Sequence, residues 1–212
     1  MLREHNVRSG FFEPEQLASV LTHLPEPLRP VIRFAALTGW RIDSEILPLE
    51  WRQVDFAAGE VRLDPGSTKN GEGRVFPFTD DLRTLLEAQQ VEHERLKKAG
   101  HIFRFVFFRE VADRRRGPKK PKPIVRFNKA WKAACTAAGC PGRIPHDLRR
   151  TAVRTMVRRS IPERVAMQLT GHKTRSVFER YNIVSDGDLR DAAVRLNASA
   201  SASMQQHTGK KD

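Results

Sequence analysis

Residues 145–150 read PHDLRR, and this short stretch carries a histidine and an arginine at helical spacing. His146 and Arg149 are three residues apart, so they share one face of a helix that begins here. Pro145 and Asp147 both favour a helix start. A His-x-x-Arg pair by itself is more often an ordinary surface pair, so its meaning depends on the motifs around it.

Residues 170–181 read TGHKTRSVFERY and contain the single tyrosine of the chain. Gly171 predicts the end of a helix, and His172 follows on a turn. Tyr181 comes nine residues after His172, towards the end of the next predicted helix. A lone tyrosine in a helix is more often a half-buried packing residue than a reactive one.

Two earlier motifs add cations at unusual places. Residues 36–51, ALTGWRIDSEILPLEW, place Arg41 just beyond the point where an apolar helix ends. Residues 67–78, STKNGEGRVFPF, place Lys69 at the tip of a predicted β-hairpin. Hairpin lysines usually keep a sheet edge soluble, so neither motif carries a function alone.

Taken in chain order, the motifs ALTGxR, TKNGxxR, HDLRR and GH with a tyrosine nine residues later resemble the tyrosine recombinases (phage integrase family) over residues 12–197. The resemblance implies a catalytic set made of Arg41, Lys69, His146, Arg149, His172 and Tyr181. In this set Tyr181 is the nucleophile and Lys69 the hairpin lysine. The coincidence of the sole tyrosine with the nucleophile position strengthens the match.

The implied residue types suit attack on a phosphodiester. Two guanidiniums can bind the non-bridging oxygens, where charge builds up, without a metal. An ordinary phenol has a pKa of about 10 and needs help to ionise, which a histidine can give as proton acceptor. A lysine can protonate the leaving 5′ oxygen. The expected product is a 3′-phosphotyrosyl link, formed without cofactor or metal.

One departure from the family pattern concerns the first arginine. Many relatives have arginine, two residues and then glutamate, whereas here Glu45 lies four residues after Arg41. The extra residue leaves Arg41 in place and leaves the supporting role of Asp43 or Glu45 open.

Composition favours a polyanionic partner. The chain has 38 basic and 25 acidic residues, a formal net charge of +13. Residues 109–132 hold ten basic side chains against two acidic ones, and residues 146–182 hold nine against three. We therefore expect double-stranded DNA as partner, bound by a homo-oligomer (a tetramer on DNA) that can be monomeric in solution.

The sequence also predicts where the protein resides. A membrane span is excluded because no run of 18 apolar residues occurs. The N-terminus lacks an apolar signal core, and the two cysteines, Cys135 and Cys140, match neither a disulfide framework nor a zinc pattern. A cytoplasmic protein, nucleoid-associated when bound to DNA, is expected.

The predicted fold is mainly α with a small antiparallel β-sheet (α+β), which is the tyrosine recombinase catalytic-domain fold. Residues 51–78 predict three strands, 80–99 a helix with Leu82, Leu85, Leu86 and Val91 inward, and 109–123 a loop. Further helices are predicted over 126–138, 147–159, 162–170, 174–181 and 187–197. The predicted organisation is a linker over 1–11, a catalytic domain over 12–197 and a flexible tail over 198–212. The N-terminal DNA-binding domain that such enzymes usually carry is expected to be absent.

Two alternatives remain open at this point. A type IB topoisomerase-like enzyme uses similar chemistry but relaxes DNA instead of exchanging strands. A truncated DNA-binding remnant would bind DNA without autonomous recombination. The helix predicted after Tyr181 and the hairpin with Lys69 favour the recombinase.

Overall fold

The computed structural model describes residues 10–66, 71–112, 117–181, 187–190 and 192–194. The α-helices are α1 (Pro14–His23), α2 (Arg29–Thr38), α3 (Asp80–Lys98), α4 (Asn128–Ala137), α5 (Asp147–Arg158), α6 (Glu163–Thr170) and α7 (Arg175–Glu179). The strands are β1 (Val54–Asp55), β2 (Glu60–Leu63), β3 (Arg74–Pro77), β4 (Phe108–Ala112) and β5 (Lys119–Pro123). Short 3₁₀ turns cover Glu26–Leu28 and Trp51–Gln53, and a π-helical turn covers Ile42–Ile46. The mainly α fold with small antiparallel sheets is the predicted class.

The predicted three-stranded sheet is confirmed, with antiparallel strands in the order β1-β2-β3. Val61 pairs with Phe76, and both are buried because alternate residues of a strand face the core. The loop between β2 and β3 includes Lys69, which lies outside the described residues. The sheet nevertheless fixes the base of that loop through the pairing of Leu63 with Arg74.

The predicted loop over 109–123 is wrong, because β4 and β5 form a two-stranded antiparallel ribbon there. The sequence of β5, KKPKP, contains lysines and prolines that strands disfavour. Proline is tolerated only where its missing N–H is not needed, as in a ribbon with free edges. Local sequence preference therefore gave no signal for this pairing.

The core is built around α2, which packs against α5 and α3. Phe34 is fully buried, and its ring lies 5.7 Å from Trp40 and 5.5 Å from Phe107. The helix ends at Gly39 in a left-handed conformation (φ 67°), where a Cβ would lie 3.0 Å from Thr170. Arg41 follows two residues after this helix end, between the buried residues Trp40 and Ile42.

Thr79 caps the start of α3, because its hydroxyl accepts a hydrogen bond from the backbone N–H of Leu82. Leu82, Leu85 and Leu86 are buried as predicted, but Val91 is 67% exposed, so its inward placement was wrong. In the second half of α3 most side chains are exposed, and Leu96 is buried at 1% exposure. Among the described residues, no helix is both long and apolar enough to cross a membrane.

The predicted helices after residue 126 are confirmed as α4 to α7 to within a few residues. Residues 187–190 and 192–194 are helical, and the rest of the helix predicted over 187–197 lies outside the described residues. Helices α5 and α6 pack against each other, and α6 also contacts β3. These contacts bring His146, just before α5, and His172, just after α6, to the same side of the molecule as Arg41.

Candidate active site

Five of the six predicted site residues lie close together at the ends of secondary-structure elements. Arg41, His146 and Arg149 line one cleft of about 700 Å³. His172 follows α6 and touches Arg149, and Tyr181 follows α7 and touches His146. The sixth residue, Lys69, lies outside the described residues.

Arg149 is held inside the protein and is only 2% exposed. One terminal nitrogen donates to the carbonyl oxygen of Gly39, and Nε donates to Nε2 of His172 at 3.2 Å. Burial and the neighbouring cations Arg41 and Arg74 lower the pKa of Arg149 to about 10. The guanidinium therefore stays charged at neutral pH, with its orientation fixed before any ligand arrives.

His172 is a neutral acceptor in this arrangement. The hydroxyl of Thr170 donates to the Ala166 carbonyl at 2.7 Å and lies 2.7 Å from Nδ1 of His172. Since the hydroxyl has one proton, Nδ1 carries the hydrogen and Nε2 accepts from Arg149. Burial and the cations around it lower the pKa of His172 to about 3. The neutral ring thus orients Arg149 without adding charge.

Tyr181 lies at the open side of this group. Its hydroxyl is 2.8 Å from Nε2 of His146, and its ring centroid is 4.6 Å from that of His172. The guanidinium of Arg150 lies 5.2 Å from the tyrosine ring centroid. Partial burial and the cations Arg149 and Arg150 lower the pKa of His146, so at neutral pH its ring can accept a proton from the phenol.

Glu45 joins the first arginine to the site. The π-helical turn places the backbone N–H of Arg41 2.7 Å from one Glu45 carboxylate oxygen, and the Arg41 guanidinium 2.7 Å from the other. Burial raises the pKa of Glu45, but the Arg41 N–H and the two neighbouring guanidiniums outweigh burial and lower it overall. The turn accommodates the extra residue between Arg41 and Glu45. The sequence left open whether Asp43 or Glu45 supports Arg41. In the structure Glu45 bonds Arg41, whereas Asp43 is exposed.

Sequence reasoning missed Arg74, although it belongs to the quoted hairpin motif. Its guanidinium donates to both oxygens of Glu45 at 3.2 Å and to the Thr170 carbonyl at 3.1 Å. It lies so close to Gly171 that a Cβ there would overlap it at 2.1 Å. The signal for Arg74 was its position in β3. It lies two residues before the buried Phe76, so both side chains are on the inward face of the strand.

The bonded group formed by these side chains is cationic. Arg41, Arg74 and Arg149 contribute three guanidiniums and Glu45 one carboxylate, while both histidines are neutral at pH 7. An anion with several oxygens, such as a phosphodiester, suits this cleft. Within the residues that the structure describes, no cluster of His, Cys, Asp and Glu fits a metal ion.

Comparison with known proteins identifies the family. The family model described as the phage integrase family matches residues 11–187. The chain belongs to the phage integrase family. Two phage integrase relatives are an integrase of Salmonella phage P22 and the tyrosine recombinase XerA of Pyrococcus furiosus. They are 28% identical over 198 and 164 residues, covering 91% and 76% of this chain.

Solved structures of phage integrase family members share the fold. The crystal structure of XerA recombinase has a TM-score of 0.64 at 18% identity, covering 88% of this chain and 65% of that one. A lambda integrase dimer bound to a COC' core site has a TM-score of 0.58 at 18% identity, covering 82% and 48%. The chain spans about half of the P22 integrase and of XerA, at 48% and 51% of their lengths.

Proposed function

We propose that this chain is the catalytic domain of a site-specific DNA recombinase or integrase. It would cut and rejoin DNA through a 3′-phosphotyrosyl intermediate. The observation that carries the proposal is the 2.8 Å contact between the Tyr181 hydroxyl and Nε2 of His146, beside the buried Arg149. The phage integrase family match supports strand exchange over the relaxation reaction of a type IB topoisomerase.

In the proposed reaction, Arg41 and Arg149 bind the non-bridging oxygens of the scissile phosphate. Both line the same cleft, and Arg149 is already oriented by Gly39 and His172. Preorganised cations need no rearrangement as negative charge develops in the transition state. They therefore stabilise the transition state more than the ground state. Glu45 holds Arg41 in place and is itself bonded by Arg74.

The proton and electron balance of the first step is simple. The Tyr181 oxygen attacks phosphorus while His146 Nε2 accepts the phenolic proton, and the bond from phosphorus to the 5′ oxygen breaks. The leaving oxygen takes a proton from a general acid, the role we assign to Lys69. The phosphodiester energy is retained in the tyrosyl link, so a second 5′-hydroxyl can reverse the step.

The natural partner in this proposal is double-stranded DNA, and the working form is a homo-oligomer on it, a tetramer when two duplexes exchange strands. Residues 12–197 form the proposed catalytic domain. In a cell the DNA-bound protein would reside in the cytoplasm, at the nucleoid. The net charge of +13 supports a polyanionic partner, and the structure of the related lambda integrase is that of a dimer on DNA.

The test is covalent trapping on a nicked suicide duplex, whose short leaving strand diffuses away after cleavage. Wild-type chain is expected to give a denaturant-resistant protein–DNA adduct. Tyr181→Phe, which keeps the ring and loses one oxygen, is expected to bind DNA normally and give none. A DNA-binding domain fused ahead of residue 10 serves as a second arm. Lack of adduct from that fusion, with DNA demonstrably bound, would refute the proposal.

A further inference from the structure

The ribbon formed by β4 and β5 has two unlike faces. Arg109 lies directly opposite Lys122, and Val111 lies opposite Lys120. Because directly paired residues and alternate residues share a face, Arg109, Lys120 and Lys122 lie on one side of the ribbon. All three side chains are exposed. We call this side the cationic face.

The other face is attached to the body of the protein. Phe108 is 9% exposed, and its ring centroid lies 5.0 Å from that of His93 in α3. Glu110 forms a 2.6 Å ion pair with Arg95 of the same helix. These contacts fix the ribbon on α3 and turn the cationic face towards solvent.

Two residues of the cationic face, Arg109 and Lys122, lack a counter-charge within the described part of the fold. Arg109 and Lys122 are directly opposite like charges, an arrangement that destabilises a strand pair. Among the described residues, neither forms an ion pair, whereas Glu110 on the other face has its partner in Arg95. Solubility explains exposed lysines on a sheet edge, but it does not require two cations to lie directly opposite each other. An external polyanion would neutralise them.

The ribbon also adjoins the catalytic cleft. Strand β5 ends at Pro123, and residues 123–128 line the same cleft as Arg41 and Arg149. Five residues of strand span about 16 Å, roughly half a turn of duplex DNA. A duplex whose scissile phosphate lies in the cleft would therefore have neighbouring phosphates within reach of this ribbon.

We infer that the cationic face of the β4–β5 ribbon is a second DNA-contact site, which binds backbone phosphates flanking the cleavage point. The inference rests on the proposed function, since it takes double-stranded DNA as the ligand of the cleft. The contact is to phosphates, so it adds affinity and a salt dependence without reading sequence.

The experiment measures binding of a fluorescent random-sequence duplex by anisotropy across a salt series. The variants are Lys122→Gln and the double variant Arg109→Gln/Lys122→Gln. Lys119→Gln is the matched control, because Lys119 is on the same strand but on the opposite face. Each lost phosphate contact lowers the slope of log K against log salt by about 0.9, so the double variant should lose about 1.8. At 0.1 M salt the affinity should fall on the order of tenfold per contact.

The outcomes separate this inference from the proposed function. The control should keep the wild-type slope, and Lys122→Gln should unfold at a temperature no lower than wild type, because a repulsion is removed. Wild-type chain that binds no duplex even at low salt would refute the ribbon contact, whereas the proposed function is decided separately by covalent trapping with the fused DNA-binding domain. Wild-type binding with unchanged slopes in both ribbon variants, or an equal loss in Lys119→Gln, would refute the ribbon contact alone.

Discussion

The catalytic cleft and the β4–β5 ribbon are both rich in cations, but the fold treats the two groups in opposite ways. In the cleft, Arg149 is buried and bonded to His172 and the Gly39 carbonyl, and Arg74 behind it is buried and bonded to Glu45 and the Thr170 carbonyl. On the ribbon, Arg109 and Lys122 face solvent and each other. In the proposed function, cations that are aimed at one phosphate are held by internal partners, whereas cations that contact the DNA backbone need only be exposed.

The largest effect in this comparison is expected at Glu45, the anion that neutralises the buried cations. Glu45→Gln keeps the shape but leaves Arg74, at 6% side-chain exposure, without its counter-charge. Breaking a buried pair from one side costs about 3–5 kcal/mol of unfolding free energy. Urea denaturation should show that loss. Glu94→Gln, which removes an exposed partner of Lys97, should change stability by less than about 0.5 kcal/mol.

A loss at Glu45→Gln as small as at Glu94→Gln would mean that the cleft tolerates free cations as the ribbon does. In that case the contrast between the two regions would have no energetic basis.

The next effect separates orientation from charge at Arg149. Arg149→Lys keeps one positive charge but loses the planar fork that bonds Gly39 and His172 while pointing into the cleft. Single-turnover cleavage at saturating DNA should fall on the order of 10²–10³-fold. The affinity for DNA should remain within a few-fold of wild type. Lys122→Gln should show the reverse, with weaker binding and an unchanged rate at saturation.

A full cleavage rate in Arg149→Lys would show that charge alone is sufficient in the cleft. The preorganised hydrogen bonds of the buried guanidinium would then have no catalytic role.

A smaller effect is the pH dependence that His172 imposes on stability. Its pKa in the folded protein is about 3, whereas an unfolded histidine titrates near about 6.5. Between these values only the unfolded state takes up this proton, so stability falls as pH drops below about 6.5, by up to about 1.4 kcal/mol per unit. From pH 7.5 to pH 5, urea denaturation should show a loss of about 2 kcal/mol from this residue.

His172→Asn should flatten that pH dependence, because asparagine takes up no proton. His23→Asn serves as the control, since His23 is an exposed residue of α1. Parallel pH profiles for wild type and His172→Asn would contradict a neutral buried ring beside Arg149.

The features that could be predicted from the sequence are those with local sequence signals. Arg41, His172 and Tyr181 follow the ends of helices, whereas His146 and Arg149 lie at the start of α5. Both kinds of position have local signals, such as Gly39 and Gly171 at helix ends and Pro145 before α5. The resemblance carried by these motifs therefore predicted them as site residues, and the structure brings all five close together. The three-stranded sheet was predictable for a similar reason, because its strands alternate and its turns contain glycine.

The features that were missed depend on contacts distant in sequence. The π-helical turn that contains Glu45 is stabilised by Arg74, which is 29 residues away in sequence. No local sequence rule predicts an extra residue in that turn. The β4–β5 ribbon consists of poor strand formers held by Phe108 and Glu110 against α3. Val91 was assigned inward from helical spacing, which does not show where a long helix leaves the core. Lys69 stays a prediction.

The central claim is that Tyr181 becomes covalently joined to DNA, and peptide mapping of the trapped adduct tests it most directly. Tyr181 is the only tyrosine in the chain, so a phosphotyrosyl group can form at one position only. Trypsin should release residues 181–190 as the peptide YNIVSDGDLR, since arginines occupy positions 180 and 190. Mass spectrometry is expected to find this peptide heavier by the attached nucleotide, through a 3′-phosphate on Tyr181. An adduct mapped to any other peptide, or cleavage that leaves no covalent peptide, would contradict the account.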